Sequence, residues 1–230
     1  MSVLALLLAD GRFPSGGHAH SGGLEEAVTS GRVVDLGSLE AFLRGRLATS
    51  GLVAAALAAA AGGGRFSPSE LDAEADARMA SPAVREASRR QGRQLLRAAS
   101  ALPLPSCSRF SPLGGELSRW GGEGSGPHHA VAIGLVVAAA GLSALDAARW
   151  ATYAAVAGPA TAGVRLLGLD PFGVHGRMAA LADDMEAVAA DGAAAAVGVG
   201  ALADLPCGAA PLLDVGAERH ATWEARLFAS

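Results

Sequence analysis

Six histidines are the first residues in this chain to ask for chemistry, and four of them come in pairs. His18 and His20 stand two apart, so their side chains point the same way only in an extended segment, where they could chelate a metal. On a helix that spacing fails, and no Cys, Asp or Glu nearby completes the three or four ligands a stable site needs. His128 and His129 are adjacent and follow Pro127 at a helix start, so they face different directions. Ser21 and Ser125 lie among glycines, yet neither forms Gly-x-Ser-x-Gly and no strand precedes either. Asp183, Asp184 and Glu186 read as the solvated face of a helix. All 18 basic side chains are arginine, which removes the P-loop lysine, the Schiff-base lysine and a carbamylated bridging lysine from the available mechanisms. Cys107 and Cys207 are far apart with no Cys-x-x-Cys pair, so a disulfide scaffold is not expected. This reading assigns no catalytic residue, no cofactor and no metal.

The arginines are better placed to recognise than to react. Arg85, Arg89, Arg93 and Arg97 recur at steps of four and fall along one helical stripe, either a solvated basic face or a contact strip for an acidic partner. Arg165 interrupts an apolar helix between Val164 and Leu166. Such a charge is costly to bury unpaired, so it faces a partner at the surface or sits in a satisfied ion pair.

These residues need elements to position them. Residues 2–9 read as a short helix, followed by the turn Asp10–Gly17. Ser21 to Ser30 is a second helix, with Leu24 and Val28 on one face and Glu25 and Glu26 off it. Asp35 or Ser38 caps a helix over 38–61 that Gly62-Gly63-Gly64 stops, and the Ser-Pro pairs at 67–68 and 81–82 start helices over 68–79 and 82–101. Periodicity lapses over 102–127, a Pro- and Gly-rich loop. His128–Gly141 and Ala144–Leu167 read as buried helices, the second kinked at Gly158-Pro159. A more polar helix over 172–190, a Gly/Ala-rich connection over 191–211 and an amphipathic tail over 213–230 complete the chain. The fold class is all-α: one domain of roughly eight to ten helices with an extended, exposed C-terminal tail.

Composition agrees. At 51% hydrophobic, 230 residues can bury a full core, while a single isoleucine and 4% aromatics leave no strand-forming runs. A net charge of −4 gives no basic field for nucleic acid or an anionic membrane. Val3–Ala9 has no preceding positive charge, and the low-charge stretches Gly51–Gly64 and Ala130–Ala144 fall short of about twenty residues, so no signal peptide or membrane span is expected. A cytoplasmic protein with a protein or small-solute partner is the expectation.

The two ends of the chain carry a resemblance. Leu6-Leu7-Leu8-Ala9-Asp10, Phe13-Pro14-Ser15-Gly16 and His20-Ser21-Gly22-Gly23-Leu24-Glu25 are similar to the opening signature of the urease accessory family UreF, and Arg226-Leu227-Phe228-Ala229-Ser230 to its terminal signature. Glu86 through Gly92 to Leu95-Leu96 resembles the family's middle signature, and Val164-Arg165-Leu166 a segment that contributes to its dimer and to docking of a GTPase. At the tail, His220 matches while Ala221 and Glu224 depart from the usual pattern. The resemblance implies a non-catalytic homodimeric scaffold that binds UreD (also called UreH) and recruits the UreG GTPase to deliver nickel to apo-urease. It points to Arg165, His220, Trp223, Arg226, Leu227, Phe228, Ser230, His20 and Glu25 as partner-binding residues. Two other readings stand beside it: a metal-dependent enzyme using His18, His20 or His128, and a helical binding module unconnected with urease.

Overall fold

The computed structural model describes residues 3–104, 126–198 and 200–228, without the side chain of His18. Among the described residues the chain is helical and forms no strand. In chain order the helices are α1 (Val3–Ala9), α2 (Leu24–Thr29), α3 (Leu36–Arg46), α4 (Leu52–Gly63), α5 (Pro68–Ala77), α6 (Pro82–Ser100), α7 (His129–Ala139), α8 (Ala144–Leu167), α9 (Pro171–Ala180), α10 (Ala182–Gly198) and α11 (Pro211–Ala221). A π-helical turn, Leu47–Gly51, joins α3 to α4 without a break in the helical run.

Capping chemistry sets most of these boundaries. Asp35 accepts from the Ser38 backbone, while Ser38 returns the bond to the cap, and Ser67 with Glu70 and Ser143 with Asp146 repeat the arrangement at α5 and α8. Gly64 and Gly168 close α4 and α8 in the left-handed conformation, where a Cβ would be strained. Pro159 lies inside α8, yet the helix runs on to Leu167.

Three buried clusters tie the helices together. The first joins α4, α5, α7 and α10; the second α1, α6, α7 and α8; the third α2, α3, α8 and α9, with Phe228 from the tail. The run Leu36–Gly63 is long and apolar enough to cross a membrane, but 56% of its apolar window is buried against other helices. It is a core helix.

Three sequence expectations need correction. Residues 191–198 are helical, because the segment expected to be a connection is the second half of α10. Glycine there marks close packing: a Cβ on Gly192 would meet the Ala56 amide nitrogen at 2.9 Å, so its absence lets α10 approach the α4 backbone. The polar helix over 172–190 is two helices that turn at the buried Leu181, which adds one helix to the count. Glu25 and Glu26 are buried, not off the packed face, since both carboxylates meet donors inside the fold. The loop expected over 102–127 lies outside the described residues at 105–125, as does Cys107.

Candidate partner-binding site

The short helix α2 presents its two carboxylates to the C-terminal end of the chain. Glu25 is 5% exposed, and its Oε2 accepts from His220 Nε2 at 2.9 Å and the Phe228 amide at 3.0 Å, while Oε1 accepts from the Leu227 amide at 2.8 Å. Three donors on one carboxylate satisfy the charge that burial would otherwise penalise. With Nε2 donating, Nδ1 of His220 is left as a buried acceptor without a partner, and Trp223 leans on the imidazole at 4.8 Å between ring centroids. Glu26 accepts from Arg32 and forms an ion pair with Arg219 of α11 at 3.5 Å. Gly216 makes room for it: a Cβ there would lie 2.6 Å from Glu26 Oε2.

The tail therefore does not project freely. Helix α11 ends at Ala221, so Trp223, Leu227 and Phe228 do not share a helical face as their spacing suggested. Phe228 is 5% exposed and belongs to the buried cluster of α2, α3, α8 and α9, whereas Leu227 is 67% exposed. The chain bends at residues 227 and 228 so that two successive amides converge on the Glu25 carboxylate, and of their side chains Phe228 turns inward while Leu227 stays outside. Arg165 is exposed, has no carboxylate partner among the described residues, and lies over the Phe228 ring at 4.9 Å. Of the nine residues singled out from sequence, Glu25, Arg165, His220, Trp223, Leu227 and Phe228 thus come together. Arg226 beside them is exposed, and Ser230 lies outside the described residues.

His20 is placed elsewhere, on the wall of a cavity of about 390 Å³ that His129 also lines. Burial, together with the charge of His20, pushes His129 down to about 4. The adjacent His128 is buried in a different network. Its Nε2 meets Asp76 Oδ1 at 2.8 Å, Nδ1 meets Ser88 Oγ at 3.1 Å, and its amide donates to Asp72 Oδ1 at 2.8 Å. Asp72, Asp76 and His128 are the one group of three potential metal ligands among the described residues. Arg89 already holds both carboxylates, at 2.8 and 2.7 Å, so their charge is spent on a guanidinium and the set fits a structural clamp better than a cation site.

Two comparisons bear on identity. The UreF family model matches residues 33–182. The urease accessory protein UreF of Mycobacterium marinum is 45% identical over 232 residues, and that of Mycolicibacterium vanbaalenii 47% over 235, each alignment covering 100% of both chains. The Mycobacterium tuberculosis UreF is 41% identical over 232 residues with the same coverage. The chain belongs to the UreF family.

As a UreF it is an accessory protein of urease maturation and not urease itself. The full-length relatives span both ends of the chain, which the family model's match does not reach. The middle signature is structural in this chain: Leu95 and Leu96 are fully buried, and a Cβ on Gly92 would overlap the Pro127 carbonyl. The arginine stripe divides. Arg85 donates to the Met79 carbonyl at 2.6 Å and Arg89 to Asp72, Asp76 and the Gly126 carbonyl, so both serve the fold. Arg93 has a buried Nη1 without a partner, and Arg97 is exposed. Asp184 and Glu186 lie on a solvated face, as expected, paired with Arg44 and Arg149. Sequence reasoning missed Glu26, Arg219 and Arg46; the Gly-Gly-Leu-Glu-Glu string over 22–26 was the available signal for the first of them.

Proposed function

We propose that this chain is a non-catalytic scaffold of one domain, cytoplasmic and homodimeric, that binds UreD (UreH) and recruits the UreG GTPase for nickel delivery to apo-urease. One observation carries the reading: a tail anchored by Phe228 and Glu25 that leaves Leu227 and Arg226 outward, with Leu227 67% exposed. A large apolar side chain held rigidly at the surface by its neighbour's burial presents contact area at low entropic cost, which is what a protein interface rewards. Glu25 supports the surface from behind, while His20, on the cavity wall, enters the reading through the family resemblance. The test is co-purification with UreD: Leu227→Asp should abolish the complex while circular dichroism and melting temperature stay near wild type. Undiminished UreD binding would remove the tail from the interface. Arg165→Ala should weaken UreG recruitment or dimerisation by about 1.5–3 kcal/mol, as for a charge-assisted contact. Unchanged complexes on size-exclusion chromatography would refute that role.

A further inference from the structure

Arg46 is the last residue of α3, immediately before the π-helical turn Leu47–Gly51. Its Nε donates to the Ala155 carbonyl at 3.1 Å and Nη1 to the Gly22 carbonyl at 2.9 Å. No carboxylate pairs with it among the described residues, and burial pushes its guanidinium down to about 10. A half-buried cation with only backbone carbonyls for company is costly, and folds normally pair such a charge or use it. The surroundings are built around it. A Cβ on Gly22, whose φ is +60°, would sit 3.1 Å from Arg46 Cζ, so only glycine both takes this backbone angle and leaves the guanidinium its seat. Turns of π-helix are frequent at functional sites.

Arg46 is also on the wall of the cavity of about 390 Å³, whose lining is otherwise mainly apolar and includes Val53, Leu57, Ile133, Trp150 and Tyr153. The other charged groups on this wall are engaged or discharged, Arg78 by Glu74 and backbone carbonyls, Asp10 by Arg12, and Asp214 by burial that raises its carboxyl. A mainly apolar chamber in which Arg46 has no carboxylate partner among the described residues has the polarity of a site for an anion with an oily body. We propose that this cavity binds an amphipathic monocarboxylate, its head on Arg46 and its chain along Val53, Leu57 and Ile133. The same cation disfavours a bare metal ion at this wall. This ligand site goes beyond the scaffold reading and does not depend on it.

The test uses the full chain without partners. Octanoate, octanol and octylamine are titrated by calorimetry, with Trp150 as a fluorescent reporter in a variant whose Trp120 and Trp223 are replaced by Phe. Octanoate should bind at one site at least tenfold more tightly than octanol, and octylamine more weakly still. Arg46→Met should bring octanoate to the level of octanol. Should that variant not fold, Arg46→Lys keeps a charge but loses the two-carbonyl fork and should weaken octanoate severalfold, while Ala154→Leu should reduce all three ligands by filling the chamber. Octanol equal to octanoate in the wild type, or no saturable octanoate binding, overturns the proposal.

Discussion

Replacing Glu25 by Gln isolates what the carboxylate does for the tail. The side chain keeps its shape, but one acceptor oxygen becomes an NH₂ group. Three donors converge on the native carboxylate, from His220, Leu227 and Phe228. If the amide nitrogen takes the Oε1 position it opposes the Leu227 N–H; at Oε2 it opposes both His220 and Phe228. The gentler orientation loses one charge-assisted bond and weakens the others by removing the charge, about 2–3 kcal/mol in all. Ordering residues 222–228 costs a comparable order of free energy to what ring burial and these bonds return, so the docked tail has little in reserve. A loss of that size shifts its docked-to-released ratio by about 30- to 150-fold. Hydrogen exchange reads it directly: the Leu227 and Phe228 amides should lose protection by up to that factor in Glu25→Gln, until the tail is released, with the α4 and α7 amides unchanged. Glu26→Gln is the control, because Glu26 bonds Arg32 and Arg219 and touches no tail amide. Equal protection of Leu227 and Phe228 in wild type and Glu25→Gln would refute the assignment of Glu25 as the anchor.

Other substitutions test the rest of the architecture. Arg89→Ala strands the buried Asp72 and should cost about 3–5 kcal/mol in urea unfolding, whereas Arg97→Ala should stay within about 0.5 kcal/mol; similar losses for both would refute the division of the stripe. Gly92→Ala must displace the Pro127 backbone and should cost at least about 1–3 kcal/mol, so an unshifted melting temperature would contradict the close approach. His129 is held below the ordinary histidine value of 6.5, at about 4, so its neutral form stabilises the fold fully above pH 6.5. That contribution, at most about 3 kcal/mol, drains away as pH falls from 6.5 to about 4. His129→Gln should flatten the stability profile across this window, and superimposable profiles would count against it.

Helix starts were legible because they depend on chemistry within four residues: Asp35, Ser67, Ser81, Ser143 and Asp170 all accept bonds from the first turn they cap. Glycines were ambiguous. Gly64 ends a helix and Gly192 lies inside one, and which role applies depends on whether another helix lies against it, a fact of tertiary packing that local sequence does not hold. The site was legible in its membership, since Glu25, His220 and Phe228 all belong to the terminal signatures, but not in its geometry. A glutamate beside a glutamate on a short helix reads as solvated until the donors 195 or more residues away are known. Arg46 was invisible for the same reason: its acceptors are main-chain carbonyls, which every residue carries.

The alanine and glycine seam between α4 and α10 has a mechanical consequence. Ala55, Ala56, Ala189 and Gly192 have no rotamers to surrender on burial, so the seam forms without side-chain entropy loss, and equally it has no side chain able to swing aside. A bulge introduced on one helix cannot be absorbed locally and must move the other as a rigid rod. Helix α10 carries Asp184 and Glu186, whose ion pairs reach α3 and α8, the helices that bear Arg46 and Arg165. A methyl-sized change at position 192 would therefore be felt as a displacement at both arginines, and the seam acts as a stiff lever between a buried wall and an exposed face.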